Sequence, residues 1–235
     1  GVLGQHPCCT AGFEFLAEYL SGDAEAGQAP TAKAEVAAAL LPPLLAVQVT
    51  MLNVYYVKAY AGALASSAAV LCGESVIGQL PREVAGQKVA AAKKLLGLFA
   101  ERDPTVLRGT REACMLLFEA AAKGGDLAYL EELPELCRPL LGYEAKGAWQ
   151  HVLPVVTVIF SGFDDMRRSR IGVADLVAWT AARFARSRGM LEQLVQARDK
   201  ARGGELNVFG EELAECLGAA TSALGPDKVL EVAEL

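Results

Sequence analysis

The side chains most often used in acid–base and nucleophilic catalysis are sparse in this sequence and are not grouped. Of the two histidines, His6 stands near the start of the chain, and His151 lies in an apolar stretch beside Trp149, which favours a structural role over that of a general base. Ser66 and Ser161 lack the Gly-x-Ser-x-Gly context that exposes a hydrolase nucleophile. No phosphate-binding glycine loop follows a strand pattern. We therefore find no catalytic constellation and expect a protein that is not an enzyme.

Neighbouring carboxylates and scattered cysteines do not predict a metal site either. The pairs Glu131-Glu132 and Asp164-Asp165 would point about 100° apart on a helix, so neither pair alone holds an ion. The six cysteines include no Cys-x-x-Cys pair and no histidine at zinc-finger spacing. Cys114, Cys137 and Cys216 lie in apolar helical patterns, which indicates small buried side chains in a reducing compartment. We expect no metal and no cofactor.

The clearest feature with chemical meaning is an uneven distribution of charge. The chain carries a formal charge of -6, yet the stretch 161–205 has nine basic against six acidic residues. Guanidinium groups bind phosphate and carboxylate groups with two hydrogen bonds. The candidate contacts to nucleic acid or to an acidic partner are Arg167, Arg168, Arg170, Arg183, Arg186 and Arg188.

An ordinary solvated helix face is the competing interpretation of these arginines. Arg183 and Arg186 are one helical turn apart and share a predicted face, with Arg188 close behind. Three arginines within six residues do not all lie on one face of a straight helix. We therefore expect two or three of the six to act together, while the others are solvated or pair with nearby aspartates.

The composition indicates that helices must position these side chains. Of the 235 residues, 53% are apolar, and Ala and Leu dominate long stretches, whereas strand patterns are nearly absent. More than half of the residues should therefore be helical.

The apolar segment 34–72 is interrupted too often to be a membrane-spanning helix. The interruptions are Pro42-Pro43, Asn53, Lys58 and Gly62. We predict two or three buried helices here, with the proline pair ending one helix and opening the next.

Helix-start and helix-stop signals recur along the rest of the chain. Asp103-Pro104 is typical of an N-cap followed by proline at the first helical position, and Lys123-Gly124-Gly125 should end that helix before Asp126 caps the next. Further helices are predicted at 127–140 with a kink at Pro134, from Gly147 through Phe160, at 173–186, at 190–202, and at 206–224 with Gly225 as a left-handed cap before Pro226.

Paired helices with short joints favour one fold class, an all-α α-solenoid of HEAT/armadillo-like helical hairpins. The unit length is near the ~40–47 residues of such repeats. A compact helical bundle is the alternative. We expect residues 1–235 to form a single helical-repeat region. Because the chain lacks an initiator Met and stops in mid-pattern, we expect it to be part of a longer solenoid.

Two segments carry a family resemblance. In LLGYEAKGAWQHVLPVVTVIF, residues 140–160, a Tyr-containing joint leads to Ala-Trp149 and to an apolar helix that ends in Phe. In LGAATSALGPDKVLEVAEL, residues 217–235, a small-residue helix precedes the Gly225-Pro226 turn and a Val-Leu pair, with Glu234 where a Pro is usual. Both segments resemble NUC173-type HEAT-repeat proteins of the nucleolar pre-ribosome, the family of ribosomal RNA processing protein twelve.

The resemblance implies a non-catalytic HEAT scaffold in ribosome biogenesis. Such a protein binds pre-ribosomal RNA and assembly-factor proteins within a large complex and supports ribosomal RNA processing and subunit maturation or export. It resides in the nucleus and nucleolus or shuttles to the cytoplasm. The residues alone indicate only a scaffold, so two alternatives stay open: a karyopherin-like or coat-type adaptor that binds peptides in transport, and a helical domain whose partner chain carries the chemistry. Neither a membrane nor a small-molecule substrate is expected.

Overall fold

The fold is all-α. A computed structural model of the chain describes residues 7–22, 30–49, 53–77, 81–172, 175–202, 204 and 206–233. All regular secondary structure in these ranges is helical, which confirms the predicted fold class. His6, Val173 and Glu234, which enter the sequence arguments, lie outside the described residues.

The chain divides into two compact units, Gly1–Tyr129 and Leu130–Leu235. The helices of the first unit are α1 (Pro7–Ser21), α2 (Pro30–Ala46), α3 (Val54–Val70), α4 (Glu74–Ile77), α5 (Arg82–Gly97) with a 3₁₀ turn at Leu98–Ala100, and α6 (Pro104–Gly124). A short α7 (Leu127–Leu130) follows. The second unit contains α8 (Leu133–Cys137), 3₁₀ turns at Arg138–Leu141 and Tyr143–Ala148, α9 (Trp149–Arg170), α10 (Leu176–Arg202), a 3₁₀ turn at Asn207–Phe209, α11 (Gly210–Leu224) and α12 (Pro226–Ala233). The expectation of one helical-repeat region over 1–235 stays a prediction.

In the first unit, α1, α3 and α6 form one layer and run parallel to one another. The Ser21 and Ser66 hydroxyls lie 2.9 Å apart, with a sequence offset of 45, within the ~40–47 residues of a HEAT repeat. Gly109 lies against Lys58 and Gly124 against Cys72, so α6 follows α3 in the same direction. Helices α2 and α5 pack on this layer and on each other.

The second unit has the same two-layer construction. Helices α9 and α11 pack in parallel, because Trp149 lies beside Phe209, and about two turns further along both helices the Thr157 side chain hydrogen-bonds Cys216. Helix α10 packs on α11, on α8 and the 3₁₀ turn after it, and on α12. Neighbours in a helical bundle run mostly antiparallel, whereas neighbours within these layers run parallel. HEAT/armadillo-like hairpins are therefore the fold class of each unit.

Several predicted helix ends are confirmed by local hydrogen bonds. The Asp103 carboxylate accepts from the Thr105 and Val106 amides at 2.8 and 3.2 Å, which satisfies two donors that α6 leaves free at its start. Gly225 has a φ of 87° as predicted, but its ψ of 151° lies in a region open almost only to glycine and outside the left-handed helical region. Pro226 then begins α12.

The proline predictions were wrong in two places. Pro42 and Pro43 do not separate two helices, since α2 continues to Ala46. Both prolines are exposed, so water can solvate the carbonyls that lose their donors, while Leu41 and Leu44 hold the last turns in the core. Pro134 does more than kink a helix: it lies in the first turn of α8, and the predicted 127–140 helix is divided into short pieces.

The predicted helices 173–186 and 190–202 are one helix, α10, and Gly189 does not separate them. A Cβ atom at Gly189 would lie 3.1 Å from the guanidinium of Arg138. The glycine therefore gives Arg138 room to lie against α10, and packing outweighs the low helix propensity of glycine. Helix α11 also begins at Gly210, four residues later than predicted.

Lysine side chains, which no sequence pattern singled out, satisfy the carbonyls at helix ends in the first unit. Buried Lys33 of α2 donates to the Gly22 carbonyl after α1 at 2.6 Å, and buried Lys88 of α5 lies 3.5 Å from the Leu71 carbonyl after α3. Lys94 of α5 donates to the carbonyls of Leu45 and Val47 at the end of α2. Each ammonium group thus replaces water at carbonyls that have no partner within the helix.

Lys88 also forms an ion pair with Asp126, and both side chains are buried. The second oxygen of Asp126 accepts from the Tyr129 amide at 3.3 Å, so this carboxylate caps α7 as predicted. One ion pair therefore links α3, α5 and α7. A buried charge left without its partner is costly, so this pair constrains all three helices.

The buried cysteines are structural. Cys114, Cys137 and Cys216 are buried, as predicted, and so is Cys72. Burial raises the pKa of Cys72, Cys137 and Cys216 to about 12, because the thiolate would lose its hydration. These groups stay as thiols at neutral pH and are poor nucleophiles and metal ligands.

We predict that Lys88→Met lowers the free energy of unfolding by about 3–5 kcal/mol, because it leaves the Asp126 carboxylate buried without a counter-charge. The double variant Lys88→Met/Asp126→Asn should recover much of this loss, since the amide still accepts from Tyr129. Lys93→Met, at an exposed position of α5, is the matched control and should change stability by no more than about 0.5 kcal/mol. Urea unfolding measures all three, and a loss below about 1 kcal/mol for Lys88→Met would contradict the assigned role.

Candidate nucleic-acid interface

Two of the six predicted arginines pair with one aspartate at the end of α9. The buried Asp164 carboxylate accepts from Arg167 Nε and Nη2 at 3.2 and 2.6 Å through Oδ1. Its Oδ2 atom lies 2.7 Å from Nη2 of Arg168. The expectation that some of the arginines pair with nearby aspartates is confirmed here. Two guanidinium groups on one carboxylate leave a net positive charge at this end of α9.

Arg168 and Arg170 are exposed in the last turn of α9. The C-terminal end of a helix carries partial negative charge, so cations here interact favourably with the helix itself. Their positive charge therefore has a structural role and also adds to the basic surface.

Arg183 points into the second unit. Its Nη2 atom lies 2.5 Å from Glu131, its Nη1 atom donates to the Trp179 carbonyl at 3.2 Å, and its guanidinium lies 4.7 Å from the centre of the Trp179 ring. The side chain is only 11% exposed. This arginine joins α10 to the turn before α8, and little of it is presented to solvent.

Arg186 and Arg188 point outward from α10. Arg188 pairs with Glu192 at 3.0 Å, and both side chains are partly exposed. Arg186 is exposed and has no carboxylate within ion-pair distance in the described ranges. Although Arg183 and Arg186 are one turn apart, only Arg186 presents its guanidinium at the surface. The predicted contact of the six arginines with nucleic acid or an acidic partner stays a prediction.

The residues of the family resemblance are structural. Trp149 is 1% exposed, its indole donates to the Leu140 carbonyl at 3.2 Å, and its ring meets the edge of Phe209 with centres 5.7 Å apart. Trp149 is therefore buried, in contact with the end of a preceding 3₁₀ turn and with the turn before α11. Gly225 and Pro226 connect α11 to α12. None of these three residues provides a binding surface of its own.

A second group of cations was not identified from the sequence. Tyr143, in the 3₁₀ turn before α9, has the ammonium of Lys146 3.9 Å from its ring centre and that of Lys200 at 5.2 Å. Lys146 and Lys200 are far apart in the sequence, and only the packing of α10 along the 3₁₀ turns brings them together. No local pattern signals this cluster.

Among the side chains that the structure describes, no three His, Cys, Asp or Glu residues are placed to hold a metal ion. His151 is half-buried in α9. No helix in the described part of the chain is both long and apolar enough to cross a membrane.

Comparisons with known proteins define no family. No protein-family model matches the chain, and no curated protein matches it significantly. A crystal structure of an engineered protein is similar to this chain at 18% identity and a TM-score of 0.44, over 98% of this chain and 94% of that one. A likeness at this level carries no argument about fold or function.

We predict that Trp149→Ala costs about 3–5 kcal/mol of stability, as truncation of other large buried aromatic side chains does. Trp149→Phe should cost less, because it keeps most of the ring packing and loses mainly the hydrogen bond to Leu140, worth about 1 kcal/mol. Thermal or urea unfolding measures both variants. A cost below about 1 kcal/mol for the alanine variant would mean that this end of α9 does not depend on the indole.

Proposed function

We propose that this chain is a non-catalytic helical-repeat scaffold in ribosome biogenesis. In this role it binds pre-ribosomal RNA and assembly-factor proteins and supports ribosomal RNA processing and subunit maturation or export in the nucleus and nucleolus. The observation that carries the proposal is the exposure of arginines on both α9 and α10 in the second unit, within a chain of net charge -6. A local basic patch on an acidic protein directs polyanions to one place.

The arrangement of the helices supports a scaffold. Stacked hairpins expose the outer faces of both layers, and such surfaces bind through many modest contacts. Arg168, Arg170 and Arg186 are exposed, and each neutralised phosphate adds a small salt-dependent increment of affinity. A surface of this kind positions RNA without chemistry of its own.

The resemblance of residues 140–160 and 217–235 supplies the link to the pre-ribosome. Their described residues form the second half of α11, α12 and the first half of α9, all within the second unit, and α9 and α11 pack against each other. The two similar segments therefore belong to one structural neighbourhood.

The test is retention of the intact protein on pre-ribosomal particles as salt is raised. We expect the double variant Arg170→Glu/Arg186→Glu to dissociate at lower salt than wild type, because both side chains are exposed cations of the second unit. Lys93→Glu/Arg102→Glu is the matched control, with the same charge change at exposed positions of the first unit, and should behave as wild type. Circular dichroism verifies that helicity is unchanged.

Two results would contradict the proposal. Equal retention of the variant and wild type at every salt concentration would remove the basic surface as the contact. Recovery of the wild-type protein in soluble, peptide-dependent complexes with no association to pre-ribosomal particles would favour the transport adaptor.

A further inference from the structure

We propose that α10 and the 3₁₀ turns beside it form a binding track for single-stranded RNA in the second unit. The track consists of Arg186, Arg138, Lys200 and Lys146, with Tyr143 at one end. It rests on the proposed function for its biological ligand, but its geometry is separate from that of the arginines at the end of α9.

The aromatic end of the track has two ammonium groups at one ring. Lys146 lies 3.9 Å from the ring centre of Tyr143 and donates to its hydroxyl, and Lys200 lies 5.2 Å from the same centre. The two Nζ atoms are therefore no more than about 9 Å apart. Like charges at this separation repel each other, and a bound phosphate placed between them would relieve that repulsion.

The middle of the track depends on Gly189. Because residue 189 has no side chain, the guanidinium of Arg138 lies directly against the surface of α10. Arg138 is half exposed, and Glu135 is 3.8 Å from its Nη1 atom, a long contact between two exposed groups. Exposed pairs of this kind are weak, so the guanidinium remains available to a stronger anion.

Arg186 and Lys200 lie along one side of α10. Fourteen residues are close to four helical turns, so the two side chains point in similar directions about 21 Å apart along the axis. Gln193 and Gln196, between them, are half-buried and exposed, and their amides can donate and accept hydrogen bonds. Along α10 the track therefore begins with Arg186, continues with Arg138 and the two glutamine amides, and ends with the two lysines at Tyr143.

Two of the carboxylates near the track are held by arginines that lie outside it. Glu192 is held by Arg188 and Asp199 by Arg198, each at 3.0 Å. Glu144, next to Tyr143, is exposed. Within the described ranges, neither Arg186 nor Lys200 has a carboxylate within ion-pair distance.

Single-stranded RNA fits this arrangement better than an acidic polypeptide. Proteins that bind single strands combine a positively charged groove with aromatic rings on which bases stack. An acidic peptide needs only the cations, whereas here a tyrosine and two amides lie among them. Base edges offer hydrogen-bonding groups to the amides, and Tyr143 offers a ring face once Lys146 moves to a phosphate.

The experiment measures binding of the full chain to a fluorescein-labelled oligouridylate of about ten nucleotides, a length within the site sizes of single-strand binders, by anisotropy over a range of salt. We expect Lys146→Gln/Lys200→Gln to make the slope of log affinity against log salt shallower by about 1.4, at ~0.7 for each lost phosphate contact. Arg138→Gln should make it shallower by about 0.7. Lys93→Gln/Arg102→Gln, exposed in the first unit, is the control and should leave the slope unchanged.

Tyr143 gives a readout that charge alone does not. Tyr143→Ala should weaken binding by about 5- to 150-fold, the range expected for loss of one stacked base, with the salt slope preserved. Tyr143→Phe should restore most of the affinity, because it keeps the ring.

Three results would overturn the track: no binding of the oligouridylate by wild type, equal slopes for the lysine variant and the control, or competition by polyglutamate as strong as that by RNA.

Failure of the track is distinguishable from failure of the proposed function. If the lysine variant loses the oligouridylate but stays on pre-ribosomal particles, the track is supported and other surfaces hold the particle. If wild type binds the oligouridylate through these residues but never associates with particles, the track stands and the proposed function fails.

Discussion

The first unit depends on lysine ammonium groups placed at the ends of its helices. The last carbonyls of α1, α2 and α3 have no amide partner within their own helices. Lys33, Lys88 and Lys94 of neighbouring helices act as donors there, and Lys33 and Lys88 do so at equivalent positions of successive hairpins. The Tyr60 hydroxyl adds a donor to the Leu44 carbonyl at 2.9 Å. Burial of these polar groups is favourable only in this geometry, so they select one stacking of the helices over others.

The second unit uses cations differently, and this difference connects fold to function. Arg183 joins α10 to Glu131, and Arg167 joins the end of α9 to Asp164. These two guanidinium groups form ion pairs within the unit and are not presented to a partner. The cations left at the surface, Arg186 and Lys200 among them, lie along the outer side of α10. Basic side chains thus serve both stability and partner binding in this unit. The buried ones stabilise the fold, and the exposed ones are available to a partner.

The sequence predicts much of this fold because its signals are local. The Asp103 cap, the Gly225-Pro226 joint and the apolar stripe of α9 each depend on a few neighbouring residues. The continuity of α10 through Gly189 was not predicted, because the guanidinium that lies against this glycine belongs to Arg138, which is distant in the sequence. The continuation of α2 through Pro42-Pro43 was missed because it depends on which face of the helix meets solvent.

The candidate site was predicted less well than the fold. A count of charge locates the basic stretch, but it does not separate Arg183, which is paired and mostly buried, from Arg186, which is exposed. Nor does it identify Tyr143 with Lys200, since their contact depends on packing between distant segments. Charge composition gives the region of an interface, and tertiary structure decides which of its side chains are available.

The central claim is that the outer basic surface of the second unit contacts RNA. Ultraviolet cross-linking of the intact protein on pre-ribosomal particles, followed by mass spectrometry of the RNA-linked peptides, tests it most directly. The account predicts cross-linked peptides from residues 138–146 and from α10. Cross-links found only within residues 7–124, or none at all from particles that retain the protein, would contradict it.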